Sequence, residues 1–147
     1  MVSTLWEGSL TVLVALNGPA LPTEAEWAAY MALGRAVLAR HGDDVSRWRT
    51  LIFSDGGVPT ARQRREAIET LGARSLTSAI VTRSRLVRGV GHFFSFFYPR
   101  VRTFAPEEIR RAFDHLGVPR AEVPALLAHI RAADARIGLE VLRATPG

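Results

Sequence analysis

Leu10-Thr11-Val12-Leu13-Val14-Ala15-Leu16 is the stretch from which the fold is read. It is short, apolar and rich in β-branched residues, and Asn17-Gly18-Pro19 ends it. These features predict a buried β-strand. Before it, Thr4-Leu5-Trp6-Glu7 predicts a partner strand, with Gly8-Ser9 as a tight hairpin turn. After it, Thr23 to Arg40 predicts a helix. Thr23 and Glu26 have the spacing of a capping box, in which hydroxyl and carboxylate each take the other residue's backbone amide. Trp27, Tyr30, Met31, Gly34, Val37 and Leu38 recur at helical spacing on one face, and Gly42 closes the helix.

Moving toward the C-terminus, the alternation repeats. Trp48 to Phe53 reads as a strand and Ser54-Asp55-Gly56-Gly57-Val58-Pro59 as a turn. Thr60 and Gln63 form a second capping box, opening a helix edged by Ala67, Ile68 and Leu71 and ended by Gly72. Leu76 to Thr82 is a third such strand, and Ser84 caps a third helix to about Phe97, which Tyr98-Pro99 stops. Val101 to Phe104 reads as a short edge strand. Pro106 suits a first helical position, with Glu107 and Glu108 complementing the dipole of a fourth helix that ends at Gly117. A last helix runs from about Arg120 to Ile137; Pro124 lies in its first turn or splits off a preceding one. The tail Thr145-Pro146-Gly147 is expected to be loose.

Strands joined through helices imply parallel neighbours with right-handed crossovers. The expected fold class is α/β: a single mixed, mostly parallel sheet of four or five strands with an N-terminal antiparallel hairpin and helices packed on it. One domain over 1–147 is expected, with a core at about 4–117 and a C-terminal helical extension at about 118–140.

Composition narrows the chemistry. The 147 residues are 48% hydrophobic and 22% charged, as in an ordinary globular chain. There is no cysteine, which excludes disulfides, thiol nucleophiles and thiolate metal sites. All 19 basic residues are arginine, and the chain has one Asn and one Gln. That pattern reads as GC-rich coding bias, so the net charge of +5 does not argue for nucleic acid. The longest uncharged stretch, Gly8 to Thr23, is too short and broken for a membrane span, and Glu7 without a basic leader argues against a secretory signal. A cytoplasmic location is expected.

Without lysine there is no phosphate-loop motif and no Schiff-base chemistry. Gly89-Val90-Gly91 lies mid-helix and is no dinucleotide fingerprint. His41, His92, His115 and His129 have no metal-ligand spacing, and His41 and His115 fall in helical last turns, where a structural role suits them. No catalytic residue, metal or cofactor is assigned.

Two places stand out. The first is the turn Ser54, Asp55, Gly56, Gly57 and Thr60 with Arg62, Arg64 and Arg65 behind it, at the carboxyl end of a strand. Three arginines at a helix start oppose the macrodipole. They suit an anion such as phosphate, a phosphorylated Ser54 or Thr60, or an acidic partner; the simpler and favoured account is a capped helix with solvated arginines, Arg65 pairing with Glu69 and Asp55 moderating the charge. The second is the third helix. Leu86, Val90, Phe93 and Phe97 form a core stripe, while Val87, Phe94 and Tyr98 on one flank and Phe96 on the other widen the apolar arc to about 200°, against about 100° for a surface helix. Either the last helices of the chain cover this excess, or Val87, Phe94, Phe96 and Tyr98 form an interface or line an apolar groove.

The element order and the glycine turn after Trp48–Phe53 resemble the SpoIIAA-like fold over Thr4 to Gly117. STAS domains, anti-sigma-factor antagonists and a set of lipid-binding domains share that fold. The antagonists carry a phosphorylatable serine in an aspartate–serine–glycine context at this turn. Here the order is Ser54-Asp55-Gly56-Gly57 and the helix cap is Thr60, so no residue matches the phosphoserine and that role is not carried over. The resemblance implies a non-enzymatic regulatory module that binds a protein partner or a second copy. A small apolar ligand or lipid-binding domain of the same fold is the second reading, an enzyme with a site assembled in space the third, and nucleic-acid binding the last.

Overall fold

The Leu10–Leu16 run becomes β2 (Thr11–Asn17), and all seven of its residues are buried. The computed structural model describes residues 1–42, 44–72, 76–85, 89, 98 and 100–147. β2 lies between β1 (Val2–Glu7), antiparallel to it, and β3 (Trp48–Ser54), parallel to it. β4 (Ser78–Thr82) and β5 (Val101–Phe104) continue in parallel, giving a five-stranded sheet in the order β1-β2-β3-β4-β5. The α/β class, the mixed sheet and the leading hairpin are those the sequence predicts. β1 begins at Val2 rather than Thr4, and β4 at Ser78 rather than Leu76.

Strand side chains alternate between faces, so the sheet carries two cores. Val12, Val14 and Leu16, with Leu51, Phe53, Ala79, Val81 and Phe104, face one way. On them pack α3 (Ile109–Leu116), α4 (Val123–Asp134) and α5 (Glu140–Arg143) through residues such as Phe113, Leu126, Ile130 and Val141. Leu13, Ala15 and Trp48 face the other way, against α1 (Glu24–His41) and α2 (Ala61–Leu71) through Trp27, Tyr30, Met31, Val37 and Leu71. Both capping boxes form: Thr23 with Glu26, and Thr60 with Gln63.

Several expectations need correction. Pro106–Glu108 is a 3₁₀ turn that leads into α3, because α3 is regular only from Ile109. The helix expected from about Arg120 to Ile137 is α4, which ends at Asp134 and leaves Ile137 exposed, and the short α5 follows it. Of the tail expected to be loose, Thr145 is buried, while Pro146 and Gly147 are exposed. Leu139, Val141 and Leu142 are buried, and the Thr145 hydroxyl donates to the Val141 carbonyl at 2.8 Å. The third helix expected from Ser84 to Phe97 lies almost wholly outside the described residues.

Candidate functional site

The turn after β3 is held from within. Ser54 is 1% exposed; its hydroxyl donates to the Gly57 carbonyl at 2.8 Å and accepts from the Gly56 amide at 3.1 Å. Gly56 has φ +126°, a conformation other residues rarely adopt. Gly57 lies so close to the β2–α1 loop that a Cβ there would sit 2.3 Å from the carbonyl oxygens of Gly18 and Ala20. Its amide donates to Gly18 at 2.9 Å, and the Asp55 amide donates to the Asn17 carbonyl at 3.0 Å.

The polar groups expected here as an anion or partner acceptor are mostly engaged inside the molecule. The Asp55 carboxylate accepts the Glu140 and Val141 amides, both at 2.8 Å, and so caps α5. It therefore serves the C-terminal segment, not the charge of the arginines. Thr60 accepts the Gln63 amide at 3.2 Å. Arg62 reaches Glu24 at the start of α1, with contacts of 2.5 and 2.6 Å. This cross-helix pair offsets the cation placed against the α2 dipole. Arg64 donates to the Pro59 carbonyl. Arg65 is exposed, and the pairing with Glu69 expected for it does not form.

Behind this turn lies an apolar cleft of about 330 Å³. Its floor is the sheet face toward α1 and α2: Ala15 and Asn17 of β2, Thr50 and Ile52 of β3, Ser78 and Ile80 of β4, and Val101 of β5. Ala15, Ile52 and Ile80 stand side by side in register. Ile52 and Ile80 belong to inner strands yet are only half-buried. Trp27, Tyr30, Ala67, Ile68 and Leu71 supply the helical wall. The Trp27 indole N–H donates to Glu66 at 2.8 Å, which ties α1 to α2 there. Gly56, Val58, Pro59 and Arg64 form one end, and Tyr98 lies on the wall.

Few polar atoms face this space. Thr50 donates its hydroxyl to Ser78. Burial raises the Tyr30 phenol to about 12. Asn17 is 3% exposed, and its Oδ1 is buried without a hydrogen-bond partner. Among the described residues no carboxylate or imidazole lines the cleft.

The structure thus brings part of the turn and Tyr98 to one cavity. Val87, Phe94 and Phe96 lie outside the described residues. Sequence reasoning missed Asn17, Thr50, Ser78 and Ile80. The available signal was the period-two alternation, which puts Asn17, Thr50 and Ser78 on the same sheet face. Which face a helix leaves uncovered is not written in that alternation.

No protein-family model matches the chain, and no curated protein does. Among solved structures the chain is similar to an uncharacterised DUF3478-family protein with a SpoIIAA-like fold from Shewanella loihica PV-4. The identity is 15%, the match covers 78% of this chain and 91% of that one, and the TM-score is 0.49.

Proposed function

We propose that the chain is a binding module for a small, mostly apolar molecule held in the cleft between the sheet and α1 and α2. The observation that carries this reading is the half-buried pair Ile52 and Ile80 on inner strands, at the floor of a 330 Å³ apolar space. Ligand sites typically run from about 300 to 1,000 Å³, with apolar walls and a few placed polar groups. Native mass spectrometry of protein purified without denaturant should show a bound small molecule, and Ile80→Trp should remove it. Loss of the reading would follow if no molecule is carried and no apolar probe raises the melting temperature, or if Ile80→Trp leaves binding unchanged.

A regulatory protein–protein interaction role is the second reading, supported by a separate observation. Leu21 is 59% exposed and Val58 37% exposed, on the two loops that the Gly57–Gly18 hydrogen bond joins. Exposed Arg65 follows on α2. A protein partner or a second copy would cover this patch. Replacing both Leu21 and Val58 by Ser should weaken self-association or partner capture in sedimentation and leave the melt unchanged. Unaltered association would remove this support.

A further inference from the structure

The cleft presents one unanswered polar atom. Asn17 is the only asparagine in the chain, and its side-chain Oδ1 is buried with no hydrogen-bond partner. Its neighbours on the same face of β2, Leu13 and Ala15, are apolar. An apolar residue at position 17 would therefore suit the fold better, since a buried orphan acceptor is destabilising. The single glutamine is a useful contrast. Gln63 is just as buried, but its Oε1 accepts the Thr60 amide at 2.9 Å and its Nε2 faces the Pro22 carbonyl at 3.4 Å. Asn17 lines the cleft, so a bound molecule can reach it.

We propose that the ligand is a neutral apolar molecule carrying a hydroxyl, and that the hydroxyl hydrogen-bonds to the Asn17 side-chain amide. This rests on the cleft being a ligand site. A hydroxyl both donates and accepts, so it matches either atom of an amide. The apolar body follows from the walls of Ile52, Ile80, Ile68 and Leu71. Its size follows from the volume, roughly twice the ~150 Å³ that holds a benzene ring. A two-ring alcohol or phenol fits that description. Asn17 then belongs to the group of residues kept for binding at some loss of stability.

Three probes of one shape test the idea: 2-naphthol, 2-methoxynaphthalene and 2-naphthoate. Binding to the full chain is followed by calorimetry and by thermal melts. The expected result is that 2-naphthol binds at least about tenfold tighter than the methyl ether, the size expected for one hydrogen bond to a buried group. Asn17→Leu should erase that preference, keep binding of the ether, and raise the melting temperature of the unliganded protein by a few degrees. The proposal is overturned if the wild-type chain does not prefer 2-naphthol, if 2-naphthoate binds tightest, or if Asn17→Leu melts lower than wild type with the preference intact. If 2-naphthol and the ether bind equally and Ile80→Trp blocks both, only the hydroxyl assignment falls. If no probe binds, the cleft reading falls with it.

Discussion

Asp55 shows how one side chain changes meaning between sequence and structure. In the sequence it belongs to a glycine-rich turn beside three arginines. In the fold its carboxylate accepts two amides from residues 140 and 141. Asp55→Ala should lower stability by about 1–2 kcal/mol, the range for losing a helix cap, in a urea melt. Hydrogen exchange at Glu140 and Val141 should accelerate first. Tyr30 supplies a pH test. Its pKa rises from 10.0 to about 12 through burial. The unfolded chain therefore loses this proton at lower pH than the folded one. The associated stability is complete below pH 10 and is lost as pH rises toward 12. The chain has no lysine and no cysteine, so few other groups titrate there. Tyr30→Phe should flatten the alkaline loss of stability, measured by melts across that range.

At the scale of elements, α1 and α2 meet where Gly34 faces Leu71. A Cβ at Gly34 would lie 2.7 Å from a Leu71 methyl. Gly34→Ala should destabilise by about 1–3 kcal/mol, as overpacking does. The penalty should shrink in a Leu71→Ala background, and a double-mutant cycle by urea melts reads that coupling directly. Thr60→Ala should cost about 1 kcal/mol through loss of the second capping box. Both helix starts were legible because a capping box is a pattern within four consecutive residues. The end of α4 was not. No glycine or proline interrupts Val123 to Ile137 after Pro124, and it is the dock of the next segment, anchored by the Leu139 amide on Asp134 at 2.8 Å, that sets the stop.

The whole molecule depends on closing both faces of the sheet. Residues 138–147, expected to end in a loose tail, place Leu139, Val141 and Leu142 in the core that contains Phe113 and Leu126. Deleting them should cost roughly 5–9 kcal/mol from three apolar side chains at about 1.5–3 kcal/mol each. It also leaves Asp55 without the amides it caps. A loss of that size consumes much of an ordinary domain's stability. The expected observation is a melting temperature lower by more than about 10 °C, or a chain that no longer melts cooperatively.

From the sequence alone follow the succession of strands, the antiparallel hairpin, the parallel pairing and both capped helix starts. Each is encoded within a few residues, as in Leu10–Leu16 or Thr60 with Gln63, so no distant partner is needed to read it. The tertiary structure alone decides which atoms are left over. Asp55 and the α5 amides are 85 and 86 residues apart along the chain, and Arg62 meets Glu24 across two helices. Ile52 and Ile80 stay half-buried at the floor of the cleft, although they stand on inner strands. Asn17 has the same alternation as Leu13 and Ala15, and it is the packing around it that leaves its Oδ1 without a partner. Local patterns set where the backbone hydrogen bonds go. The site depends on which surfaces are left uncovered, and that is a property of packing between residues far apart in the chain.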